Sequence, residues 1–97
     1  MQVAGYLRSV SMSLDDRSGR IDHERPVWPQ VAADLERDIA AGKLRPGSRL
    51  PTEDELASQY GVARNTVRRA VEDLRERGLL ETFHGRGTYV VDGAGQR

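Results

Sequence analysis

Arg64, Asn65, Thr66, Arg68 and Arg69 sit close together in a segment whose apolar residues recur at helical spacing. Arg64 and Arg68 are four apart, hence on one face and one turn apart. A guanidinium carries paired N–H donors that match guanine O6 and N7 in the major groove, so either arginine can make a bidentate contact there. Asn65 can pair with adenine or bind a phosphate, and Thr66 can approach a thymine methyl or a phosphate. Arg69 is angled away and suits phosphate positioning better than base reading. The run HGRG at 84–87 sets His84 and Arg86 among glycines that permit a tight turn and close approach to a backbone. Such a tip, including Gly85, can reach a minor groove or its phosphates. Each feature also has an ordinary reading. Exposed arginines are often solvated surface, Asn65 and Thr66 can act as local caps, and the glycines can serve hairpin geometry alone. The set points to a DNA duplex because its members fall on the elements that would present them to one.

Those elements can be read from periodicity. A first helix is expected from near Val27, with Pro29 tolerated in its first turn. Val31, Leu35 and Ile39 repeat at four-residue spacing, with Trp28 and Ala32 beside them, and Asp34, Glu36, Arg37 and Asp38 fall mainly on the wet face. Gly42 and Pro46-Gly47 end that helix and turn the chain. A second helix starts at Thr52, which with Glu55 can form a capping box, and buries Leu56, Ala57 and Tyr60. Gly61 breaks it. The third helix opens at Ala63-Arg64-Asn65-Thr66, carries Val67, Ala70, Val71 and Leu74 as its apolar stripe, and closes at Gly78. Leu79–Phe83 and Thr88–Val91 then read as strands joined by His84–Gly87. An extended stretch around Arg49-Leu50 can add a small third strand. The expected architecture is α+β: a winged helix-turn-helix over 26–91, of three helices followed by a two-stranded hairpin wing. Residues 1–25 read as a flexible extension, in which Val3, Tyr6, Leu7 and Val10 can form a short turn or strand; 92–97 read as a tail or linker stub. Trp28 and Tyr60 are expected in the core rather than as stacking platforms.

A chain of 97 residues, 37% apolar and 31% charged, holds one small core with a solvated surface. There is no cysteine, which excludes disulfides and thiolate metal sites. No apolar run spans a membrane and no signal core is present, so a cytoplasmic location is expected. The formal net charge is zero, from 15 basic and 15 acidic residues. Its distribution matters more: residues 43–91 hold nine basic and seven acidic residues, and Arg64, Arg68, Arg69 and Arg86 have few acidic neighbours in sequence. Catalysis is not expected, because the two histidines lie in the extension (His23) and the hairpin tip (His84). Asp15-Asp16 and Asp22-His23-Glu24 read as solvated charge, and HGRGT lacks the strand–turn–helix setting of a phosphate-binding loop. Neither cofactor nor metal is expected. The competing reading is a winged-helix module that binds protein, which the neutral charge keeps open.

The run LPTEDELASQYGVARNTVRRAVEDLRERGLLETFHGRGTYV at 50–90 resembles the DNA-binding domain of the GntR family of bacterial transcriptional regulators. WPQVAADLERDIAAGKLRPG, at 28–47, is similar to that family's first helix and turn. The resemblance implies a homodimeric regulator, mostly a repressor, on a short palindromic operator. It implies guanine reading by Arg64 and Arg68, neighbouring contacts from Asn65 and Thr66, and minor-groove entry by His84 and Gly85. Pro51 and Glu53 fit the family pattern. Asp54 departs from it, standing where many members place a DNA-contacting arginine, and a carboxylate there would repel phosphate. Ala63 replaces a more usual serine or threonine. Members carry a C-terminal domain for a small effector and for dimerisation; six residues follow Val91, so no effector site is expected in these 97 residues. A domain of this kind is expected to be monomeric in solution and to pair on DNA.

Overall fold

The computed structural model of the chain describes residues 16–92. Pro29 lies in the first turn of α1 (Trp28–Ala40), where its missing amide costs no intrahelical bond. Val31, Ala32, Leu35 and Ile39 form its buried side. α2 (Glu53–Tyr60) begins at the expected capping box: Thr52 Oγ1 accepts from the Glu55 amide at 3.1 Å, and the Thr52 amide donates to Glu55 Oε1 at 2.8 Å. It ends at Gly61, whose φ of 69° is the left-handed conformation that a residue with a side chain adopts at a cost. The turn through Val62 and Ala63 delivers α3 (Arg64–Glu76), which buries Val67, Ala70, Val71 and Leu74 against α1 and α2.

The wing follows at once. β1 (Leu80–Phe83) pairs antiparallel with β2 (Gly87–Val90), in a register that sets Leu80 opposite Val90 and Phe83 opposite Gly87. The tip is therefore the three residues 84–86, one shorter than the sequence pattern indicates, because Gly87 already pairs in the ladder. Leu80 and Val90 turn inward and join the helical core. The stretch near Arg49-Leu50 adds a single bridge, Arg49 to Tyr89, rather than a full strand. Leu50 donates to Thr88 O at 2.7 Å and Val90 to Ser48 O at 2.9 Å, which fastens the α1–α2 connection to the wing.

The segment before α1 departs from expectation. Residues 1–15 and 93–97 lie outside the described residues, and with them the proposed turn at Val3–Val10 and most of the tail. From Asp16, however, the stretch expected to be a flexible extension is anchored to the helices at Arg17 and Ile21. The Arg17 amide donates to Gln59 O at 2.7 Å, Ser18–Arg20 form a 3₁₀ turn, and Ile21 enters the core. Asp34 and Asp38, assigned to the wet face of α1, are 3% and 7% exposed. Arg17 covers both: its Nη1 lies 2.8 Å from Asp34 Oδ2 and 2.7 Å from Asp38 Oδ2. The Tyr60 hydroxyl donates to Asp34 Oδ2 at 2.6 Å, and Arg20 and Arg37 reach the same carboxylate from its open side. A helical wheel of α1 alone cannot show this, because the covering cation comes from another segment.

This node predicts how stability responds to mutation and to acid. Burial acts to raise the Asp34 pKa, but hydrogen bonds from Tyr60 and Arg17, with Arg20 and Arg37 nearby, outweigh it and hold the carboxyl below its usual value. A depressed folded-state pKa contributes stability that is present above the unfolded value of about 3.9 and lost as pH falls through the lower folded one. Urea titrations should show a loss of about 1.5–3 kcal/mol for Tyr60→Phe at neutral pH, the range for a hydrogen bond to a charged group. The decline of stability below about pH 4 should be shallower in Asp34→Asn than in the parent. Equal acid slopes in the two proteins would contradict the assignment.

Candidate nucleic-acid interface

The buried stripe of α3 leaves its other face outward, and the arginines lie there. Arg64 and Arg68 keep 58% and 48% of their side chains exposed. Asn65 and Arg69 are exposed, whereas Thr66 is half-buried and donates its amide to Ala63 O at 3.0 Å. Ala63 caps the helix in extended conformation with no side-chain bond, so the first-turn amides lack that partner. The guanidinium of Arg69 lies over the Trp28 ring, 4.8 Å from its centroid. Trp28 thus has a half-exposed position at the start of α1 rather than a fully buried one, while Tyr60 is fully enclosed.

Arg64 and Arg68 do have acidic neighbours, contrary to the view along the sequence. The start of α2 meets the start of α3, and Arg64 Nε stands 3.3 Å from Asp54 Oδ1 and 3.7 Å from Glu53 Oε1. Arg68 Nη2 lies 3.2 Å from the same Glu53 oxygen. Solvent screens these contacts, and exposed pairs of this kind contribute about 0–1 kcal/mol. They are strong enough to orient the arginines and weak enough to be exchanged for a phosphate or a base edge.

At the wing, His84, Gly85 and Arg86 are all exposed at the tip. The Arg86 amide closes the turn on Phe83 O at 2.8 Å, with Gly85 at φ 79°. Two hydroxyls, Thr82 and Thr88, face each other at 3.0 Å, and Arg75 of α3 donates to Thr82 Oγ1 at 3.0 Å. Phe83 and Tyr89 meet edge to face at 5.7 Å. A cavity of about 250 Å³ has Arg49, Asp54, Arg64, Gly87 and Thr88 in its lining. The start of α3 and the start of β2 therefore border one space. Sequence reasoning did not single out Arg49 or Arg75 for this surface. The alternation that turns Leu50 inward is the one signal that points Arg49 out.

Comparison with known proteins matches residues 29–90 to the family model described as bacterial regulatory proteins, gntR family. The chain belongs to the gntR family. Its fold is that family's winged helix-turn-helix DNA-binding domain, which is not an enzyme. The mannosyl-D-glycerate transport/metabolism system repressor MngR of Escherichia coli is 46% identical over 68 residues, covering 70% of this chain and 28% of the repressor. The transcriptional repressor NagR of Bacillus subtilis is 43% identical over 65 residues, covering 67% of this chain and 27% of that protein. The gntR domain here thus spans little more than a quarter of these relatives' length. Among solved structures, the DNA-binding domain of AraR in complex with operator ORX1 superposes with a TM-score of 0.64 at 42% identity, covering 66% of this chain and 77% of that one. A GntR family transcriptional regulator from Listeria monocytogenes gives 0.74 at 26% identity, covering 78% and 68%.

Among the described residues no helix of this gntR domain is long and apolar enough to cross a membrane, and no group of three His, Asp or Glu side chains could hold a metal. The pairing of Asp54 with Arg64 yields a prediction. Asp54→Asn should tighten binding to any duplex about two- to five-fold, the equivalent of a surface pair released, with little change in melting temperature. Anisotropy titrations alongside thermal unfolding check it; weaker binding by the variant would show that the carboxylate assists rather than competes.

Proposed function

We propose that this gntR-family domain binds a short inverted-repeat operator in double-stranded DNA as part of a transcriptional repressor, with α3 in the major groove and the wing at the minor groove. The observation that carries the reading is the placement of Arg64, Asn65, Arg68 and Arg69 on the outward face of α3, beside a wing whose exposed tip holds His84, Gly85 and Arg86. In this reading Arg64 and Arg68 take bidentate contacts to guanine, and Asn65 and Thr66 approach neighbouring bases or phosphates. Arg69, steadied on Trp28, grips a phosphate, and the tip residues reach the minor groove or its backbone. The AraR domain, bound to its operator in the structure compared above, supports this orientation at 42% identity.

Two copies related by a two-fold axis would set their α3 helices in successive major-groove segments, about 34 Å apart. We assign the domain to the cytoplasm, where its DNA target lies, and place no effector site within these 97 residues. Exchange of Glu53 and Asp54 for DNA at the arginines keeps non-specific affinity modest, in line with the zero net charge.

Selection from a randomised duplex pool at two salt concentrations should enrich an inverted repeat. On the selected operator, Arg64→Ala and Arg68→Ala should each cost about 1–3 kcal/mol and relax preference at one base pair per half-site, whereas Arg69→Ala should weaken all duplexes alike. A folded protein that retains no duplex would overturn the reading in favour of a protein-binding module.

A further inference from the structure

Arg49 has no part in the DNA contacts proposed above, yet its backbone is fastened to the wing. Its backbone bridges to Tyr89 of β2, between the Leu50-to-Thr88 and Val90-to-Ser48 hydrogen bonds. Side chains alternate along such a stretch, so the burial of Leu50 directs Arg49 outward. Its guanidinium lies against the wing at Gly87. A Cβ built there would stand 2.8 Å from Arg49 Nε and 3.5 Å from its Cζ and Nη2. Gly87, at φ 125°, leaves room for a cation that any side chain would displace.

The electrostatics single out the same residue. Arg49 and Arg64 line the cavity together with Glu53 and Asp54. Both carboxylates are engaged by Arg64 and Arg68. Among the described residues Arg49 has no carboxylate partner, so its charge alone at the cavity is left without an ion pair. Arg64, at the start of the helix proposed for the major groove, lines the same cavity, and Arg49 packs on the wing proposed for the minor groove. Adjacent grooves of a duplex are divided by a sugar–phosphate backbone. A cation fixed between the element in one groove and the element in the next faces that backbone.

We propose that Arg49 is a phosphate-binding residue: it clamps the DNA strand that passes between α3 and the wing, with Gly87 as its seat. The assignment rests on the proposed function and adds to it a contact that sets register without reading sequence. Arg49 then grips the strand beside the cavity it shares with Arg64, which remains the base reader.

The test is the salt dependence of binding by the full chain, measured by anisotropy on the selected operator and on a scrambled duplex. Neutralising one phosphate contributes a slope of about 0.9 in log K against log salt, so Arg49→Ala should flatten the slope by about that amount on both duplexes. Affinity should fall several-fold at low salt, equally for the two sequences, and Arg49→Lys should restore most of the slope because it keeps the charge. A smaller folded fraction would change the apparent concentration but not the slope, which separates a contact from a structural role. An unchanged slope in Arg49→Ala, while Arg64→Ala loses operator binding, would overturn the assignment and leave the function standing. Loss confined to one base pair would overturn it too, by making Arg49 a reader. Absence of any salt-sensitive binding by the parent chain would remove the functional reading, and Arg49's role with it.

Discussion

α3 has to bury Val67, Ala70, Val71 and Leu74, and the rest of the domain is arranged around supplying a surface for them. No side chain of α3 reaches both faces of the helix, so the stripe that faces the core determines which residues face out. α1 contributes Val31, Leu35 and Ile39 to that surface, and α2 contributes Leu56 and Tyr60. The wing seals the end with Leu80 and Val90. A hairpin of four-residue strands has too little apolar area to stand alone, and it persists here because one side covers the helices. The outward display of Arg64 and Arg68 is thus a consequence of packing: the helix cannot be rotated to hide them without exposing its apolar stripe to water. Val67, Val71 and Leu74, removed from water, are each worth about 1.5–3 kcal/mol, more than any surface ion pair on the opposite face.

The electrostatic character of that outer face depends on a second element. Glu53 and Asp54 begin α2 because negative charge near a helix N-terminus is favourable, and the helix-turn-helix angle brings them against the arginines that begin α3. The same pair of residues therefore serves the end of one helix and moderates the next. A domain with zero net charge can in this way hold cations ready for exchange without a strongly basic surface. Such a design favours discrimination over raw affinity, since each arginine must give up a carboxylate before it takes a DNA group.

Features set by near neighbours were legible in the sequence. The capping box needs only Thr52 and Glu55, three residues apart, and Gly61 marks its helix end by its own backbone freedom. The stripes of α1 and α3 follow from spacing alone, and the hairpin from two short runs around a glycine-rich tip. What sequence reasoning missed lies between segments. Arg17 and Asp34 are 17 residues apart, and Tyr60 and Asp34 are 26. Taken singly, Asp34 and Asp38 on α1 look solvated, and only the covering segment makes them interior. The few acidic neighbours counted around Arg64 along the chain became two in space, for the same reason. Arg49 was legible as an outward residue on an extended stretch, but its seat on Gly87 needed the register of the wing.

The buried ionic node shows how a segment outside the family-matched residues can bear on the interface. Arg17 precedes residues 29–90, yet the two carboxylates it neutralises and the tyrosine it touches lie within them. Without Arg17, Asp34 would keep Arg20 and Arg37, but the buried Asp38 would lose its cation. With Arg17 in place, Asp34 joins α1 to Tyr60 at the end of α2, one residue before the turn into α3. The N-terminal segment therefore holds the two supporting helices at the angle from which α3 is launched. Removing it would loosen the frame that aims Arg64 and Arg68 while leaving their face of α3 chemically unaltered. The reach of this interface thus extends to a residue that need not touch DNA at all.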